Sequence, residues 1–73
     1  MKFRKLLGRI IEYYGSQKAF SSAMGMNVGT LSLKLLGESA WTIPEAKRAC
    51  ELLSIPLEEL HIYFLPSELG NTN

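Results

Sequence analysis

Three glycines, Gly15, Gly25 and Gly37, divide the first half of the chain into segments that hold only two or three helical turns each. Glycine reaches positive φ without steric penalty and commonly sits just past a helix end. Before Gly15, the residues Phe3, Leu7, Ile10 and Tyr14 recur at three- and four-residue steps, and Leu6 and Ile11 widen the stripe into one amphipathic helix. After it, Ser16 offers an N-cap hydroxyl to a short second helix with Phe20, Ala23 and Met24 on its apolar face. Asn27 caps a third, whose inner face is Val28, Leu31 and Leu35. Ser21 is small enough for the third helix to cross closely, and Met24, Met26 and Leu31 fill the angle between the two. Residues 16–37 therefore carry the pattern of a helix-turn-helix.

The rest of the chain is also patterned as helix. Glu38–Trp41 is a loop. Thr42-Ile43-Pro44-Glu45 has the threonine-to-glutamate spacing of a capping box, with proline in the first turn, where its missing N–H costs nothing. Ala46, Ala49, Cys50 and Leu53 form the inner stripe of a fourth helix. Pro56 opens a fifth with Leu57, Leu60 and Phe64 inward, and Pro66 ends it. No strand-like alternation, repeat or linker interrupts the pattern. The expected architecture is all-α: five helices in one domain over residues 1–66, followed by a flexible C-terminal tail over 67–73.

A chain of 73 residues buries only about 60% of its unfolded surface, so its 47% hydrophobic content leaves apolar side chains near the surface. One cysteine (Cys50), one histidine (His61) and no aspartate exclude an internal disulfide and leave no set of groups for a metal or an acid–base pair. With no phosphate-binding glycine loop either, an enzyme is not expected, nor any cofactor or bound metal. No apolar run approaches the ~20 residues of a membrane span, and the basic start Met1-Lys2-Phe3-Arg4-Lys5 is followed by an amphipathic pattern rather than a signal core. A cytoplasmic protein with a reduced thiol is expected.

Net charge is only +1, but it is unevenly placed. Residues 1–37 carry Lys2, Arg4, Lys5, Arg9, Lys18 and Lys34 against Glu12 alone, a balance of +5, whereas residues 38–73 balance at −4. A polyanion bound to the first half, or attraction between the two halves or between copies, both account for this.

Specific runs carry a resemblance. Gly15-Ser16-Gln17-Lys18-Ala19-Phe20, Met24-Gly25-Met26 and Thr30-Leu31-Ser32-Leu33-Lys34-Leu35-Leu36-Gly37 resemble the small Cro-like regulators of phages of Gram-positive bacteria, as do the stretch Ala49–Leu60 and the pair Tyr63-Phe64. The resemblance spans roughly residues 4–65. It implies a lambda-repressor-like helix-turn-helix fold and a role in a lysogeny/lytic switch in the bacterial host cytoplasm. The group includes operator-binding repressors and modulators of repression (antirepressors), so operator DNA and a partner phage repressor are both implied partners.

In such proteins the third helix lies in the major groove with its first residues at base edges. That implies Asn27 for an adenine edge, Ser32 for other bases and Val28 for a thymine methyl. Gln17 is implied for a phosphate, and Lys18, Lys34 and Arg9 for backbone charge. Each has a plainer account: Asn27 as an N-cap, the lysines as solvated side chains, Ser32 as an ordinary surface residue.

The outer face of the third helix departs from that group. On a wheel of 100° per residue with Leu31 at zero, Gly29, Leu33 and Leu36 fall roughly 140–200° away and point outward. Regulators of that group tend to carry arginine where Leu33 stands and asparagine where Leu36 stands. A face of Gly29, Leu33 and Leu36 suits a protein interface better than a DNA groove. The plainer account packs Leu36 under the following loop against Trp41.

Two further regions remain open between readings. Trp41 is an interface anchor or a lid on the core. His61, Ile62, Tyr63 and Leu65 leave the fifth helix apolar on more than one side, which fits either a homodimer seam or completion of a small core. Cys50 is read as a small buried hydrophobe.

Overall fold

The computed structural model describes residues 2–64, and all regular structure among them is helical. The elements are α1 (Arg4–Tyr14), α2 (Gln17–Met24), α3 (Val28–Leu36), α4 (Ile43–Leu52), a single 3₁₀ turn (Leu57–Glu59) and α5 (Leu60–Phe64). The expected end of the last helix at Pro66, the tail and Leu65 lie outside the described residues.

Capping chemistry sets the boundaries. Ser16 Oγ accepts from the Ala19 amide (3.1 Å), and Asn27 Oδ1 accepts from Gly29 (2.7 Å). Thr42 and Glu45 close a reciprocal capping box, satisfying two donors that a helix start otherwise leaves open. At Gly25 φ is +76°, and the Met26 amide turns back to the Ser21 carbonyl (2.9 Å). That bond folds the chain tightly between α2 and α3.

The core is drawn from every helix: Leu6 and Ile10 of α1, Phe20 of α2, Leu31 and Leu35 of α3, Ala46, Ala49 and Cys50 of α4, and Phe64 of α5, with Phe3, Leu53 and Ile55 from the connections. Ser21 is buried as well, its hydroxyl satisfied by the Lys18 carbonyl (2.8 Å). The amide of Phe3 donates to the Leu35 carbonyl (3.2 Å), pinning the start of α1 to the end of α3. Trp41 closes this end of the core: its ring packs edge-on to Phe64 (5.0 Å between centroids) and tilted against Phe3 (6.3 Å). It is a lid on the core.

Three side chains expected inward are exposed. Ile11 lies roughly 140° round the wheel from Leu6, beyond the arc that the other helices cover. Val28 lies only about 60° from Leu31 on the wheel, but it is the first residue of α3, one turn before Leu31 at the open end of the helix, where it stays 40% exposed. Leu57 falls in the 3₁₀ turn, where the Glu59 amide bonds the Pro56 carbonyl (2.8 Å). That winding uses about three residues per turn, so a 3.6-residue wheel does not carry through it.

Candidate interaction surface on the third helix

Helix α3 keeps a series of exposed residues on its outer side, with half-buried Ser32 among them. Asn27, Val28, Gly29 and Thr30 are exposed at its start, and Leu33 and Leu36 follow one and two turns later. Leu33 and Leu36 are 46% and 43% exposed, so neither sinks under the following loop. The loop folds back without covering them: the amides of Glu38 and Ser39 both donate to the Leu33 carbonyl (2.9 and 3.3 Å). The Leu33 carbonyl is thus satisfied while the two leucine side chains stay largely in solvent. Just past Leu36, Lys2, Phe3 and residues 37–41 line a cleft of about 210 Å³. The Trp41 indole N–H at this end is buried and has no hydrogen-bond partner among the described residues.

Several residues expected to touch DNA are engaged within the protein. Lys34 is buried (6% exposed). Its ammonium donates to the Ala40 carbonyl (2.7 Å), pairs with Glu45 Oε1 (2.9 Å) and stands 5.9 Å from the centre of the Trp41 ring. It is therefore a clasp between α3, the loop and α4, not a phosphate contact. The backbone amide of Thr42, with Lys34 next in weight, holds the Glu45 carboxyl below its ordinary value of 4.5.

Arg9 is likewise turned inward along the surface. Its Nε donates to the Leu53 carbonyl (2.9 Å) and its Nη2 to Ser54 (2.8 Å), with Tyr63 Oη 3.4 Å from Nη1. The guanidinium also stacks over Tyr13 (4.8 Å to the ring centre). It thereby satisfies carbonyls at the end of α4, where Ser54 holds a positive φ of +56°. Arg9 thus serves as a structural clamp on the end of α4.

Gln17 and Ser32 are brought together, the serine hydroxyl donating to Gln17 Oε1 (3.0 Å), which ties the start of α2 to the middle of α3. Asn27 acts as the N-cap, so a two-pronged adenine contact would have to share its bonded oxygen. Lys18 remains exposed beside Gln17. On α5, His61 and Ile62 are exposed, whereas Tyr63 is half-buried against Arg9 and the core. Cys50 is buried, which pushes its thiol above the ordinary value.

The role of Lys34 had one signal in the sequence. It lies roughly 60° from Leu31 on the wheel, inside the buried arc. A lysine there requires a partner, and Glu45 of the capping box was the acid poised to be it.

Residues 1–67 match the family described as protein of unknown function, DUF739. The chain belongs to the DUF739 family. The match runs through every helix from α1 to α5, so the α3 face belongs to the domain that defines the family. No curated protein matches the chain. Among the described residues no helix is long and apolar enough to cross a membrane, and no cluster of three or more His, Cys, Asp or Glu could hold a metal ion.

Proposed function

We propose that this chain is a helix-turn-helix regulator of a phage-type lysogeny switch that acts by docking its α3 face on a partner regulator protein. The observation that carries this reading is the composition of that face. Val28, Leu33 and Leu36 stand exposed along α3, while Lys34, the helix's one charged residue, is buried. Contiguous apolar surface beside polar surroundings marks protein contacts. Base readout rests on side chains such as Arg, Lys, Asn and Gln reaching base edges. The resemblance of residues 15–37 to Cro-like regulators and modulators of repression supplies the switch context. The role is that of a binding module in the bacterial cytoplasm, not of an enzyme.

Operator DNA is the second reading. The exposed Lys18 at the start of α2 and the cation excess of the first half favour it. One experiment separates the two: a gel shift with DNA flanking the protein's own gene, run with and without the repressor encoded beside it. The wild type and Leu33→Glu are compared. Partner docking predicts no shift by the chain alone, an altered repressor–DNA complex when both are present, and loss of that alteration in Leu33→Glu. A shift by the chain alone that weakens steeply with salt and persists in Leu33→Glu would replace docking with direct operator binding.

A further inference from the structure

We infer that the partner surface fitting the α3 face is apolar at its centre and rimmed with carboxylates, as along one side of an acidic amphipathic helix. This rests on the docking reading above and adds the chemistry of the partner to it.

The inference comes from which cations the fold uses and which it leaves exposed. Of the six in residues 1–37, Arg9 and Lys34 are engaged internally. Lys2, Arg4, Lys5 and Lys18 are exposed, with no ion pair among the described residues. The fold sets two of these, Lys18 and Lys2, beside α3, and Arg4 and Lys5 follow at the start of α1. The Gln17–Ser32 hydrogen bond holds the start of α2, and with it Lys18, beside the middle of the helix. At the other end, the bond from the Phe3 amide to Leu35 brings in the first residues of α1. The Lys2 stem lies against Gly37 so closely that a Cβ there would run into it. Glu38 is the one exposed carboxylate next to this end of α3.

The result is an uncharged, largely apolar face with Lys18 near its middle and Lys2 at its C-terminal end. Interfaces of this kind bury a charge-depleted centre and keep a polar rim. The apolar centre gains only against another apolar surface, and the cationic rim selects for acidic neighbours and speeds their approach. A nucleic acid would meet the rim but leave Val28, Leu33 and Leu36 against polar groups, where they gain little. An amphipathic helix lays leucine-type residues along one face and sets glutamates on either side, and so answers both features at once.

The test uses the full chain, isotope-labelled for amide NMR, at about 0.15 M salt, where screening of exposed charges is physiological. Three probes are titrated: a synthetic amphipathic helix of leucines flanked by glutamates, the same peptide with lysines for glutamates, and a short mixed-sequence DNA duplex. The glutamate peptide is expected to shift the amides of Val28, Leu33 and Leu36 and to bind about tenfold or more tighter than the lysine peptide. Leu33→Glu should weaken it about tenfold, Lys18→Glu severalfold, and Glu38→Gln should tighten it about twofold. Leu33→Ser serves as a second variant should Leu33→Glu lose its native amide dispersion. Equal binding of the two peptides, or larger shifts of these amides with the duplex, overturns the inference. If the peptides bind equally while Leu33→Glu still breaks the complex with the partner regulator, the carboxylate rim is wrong and the docking reading stands.

Discussion

Lys34 Nζ and Glu45 Oε1 lie 2.9 Å apart, and the same carboxylate oxygen accepts from the Thr42 amide at 3.0 Å. One oxygen thus joins the last turn of α3 to the first turn of α4. A capping box alone needs only the Thr42 contact, so the glutamate serves a local and a tertiary role together. This junction holds the loop behind the exposed leucines, because Lys34 also donates to Ala40.

Lys34→Met tests that junction. The variant keeps the buried stem and removes the ammonium, leaving the Ala40 carbonyl without its donor and Glu45 without its cation. A loss of about 1–3 kcal/mol is expected. For a domain of this size that lowers Tm by very roughly 4–20 °C. Thermal unfolding followed by circular dichroism reads it, and an unchanged Tm would show that the clasp adds nothing.

The depressed pKa of Glu45 makes a signed prediction. A carboxylate with a lower pKa folded than unfolded contributes stability that is present above its ordinary value of 4.5 and is lost as pH falls through the lower folded value. Urea midpoints between neutral and acid pH should therefore favour the wild type over Glu45→Gln near pH 7 and converge in acid. A gap that stays constant below the carboxylate range would contradict the linkage.

Arg9→Ala and Arg9→Lys address the clamp on the end of α4. The two short bonds from Arg9 reach carbonyls of adjacent residues, which a planar guanidinium spans and a single ammonium does not match. Because the site is partly exposed, Arg9→Ala should cost only about 1–2 kcal/mol, with lysine recovering less than half. Chemical denaturation measures both. The same pair should change the salt dependence of any DNA association little, since two of the Arg9 donors are held by carbonyls of its own chain.

Leu31 and Leu33, two residues apart on α3, should respond in opposite ways to truncation. Leu31 is wholly buried, and Leu31→Ala should cost about 2–5 kcal/mol. Leu33 is exposed, and Leu33→Ala should change stability by no more than about 0.5 kcal/mol while weakening partner association. Comparable losses for both would place Leu33 in the core and remove the candidate surface.

Much of the architecture was legible along the chain because its signals are local. Ser16, Asn27 and Thr42 cap within three residues of themselves, and Gly15, Gly25 and Gly37 take positive φ at the helix ends. The outward placement of Leu33 and Leu36 followed from angle alone. The positions misjudged are those where burial depends on what lies opposite. Ile11 and Val28 belong to apolar stripes that a 73-residue domain has too few elements to cover. Arg9 and Lys34 carry charge, and charge by itself reads as solvent or ligand contact until a distant carbonyl or carboxylate is seen to meet it.

The amino-acid order by itself determined the helices, their caps, the tight turn at Gly25 and the leucine-rich outer face of α3, because backbone propensity and side-chain period act over a few residues. Only the tertiary structure decided which cations the fold engages, since the acceptors of Arg9 lie 44 and 45 residues away and Glu45 belongs to another helix. Burying a charge is tolerable only when the fold delivers a partner to it, and that delivery is a property of packing, not of sequence neighbours.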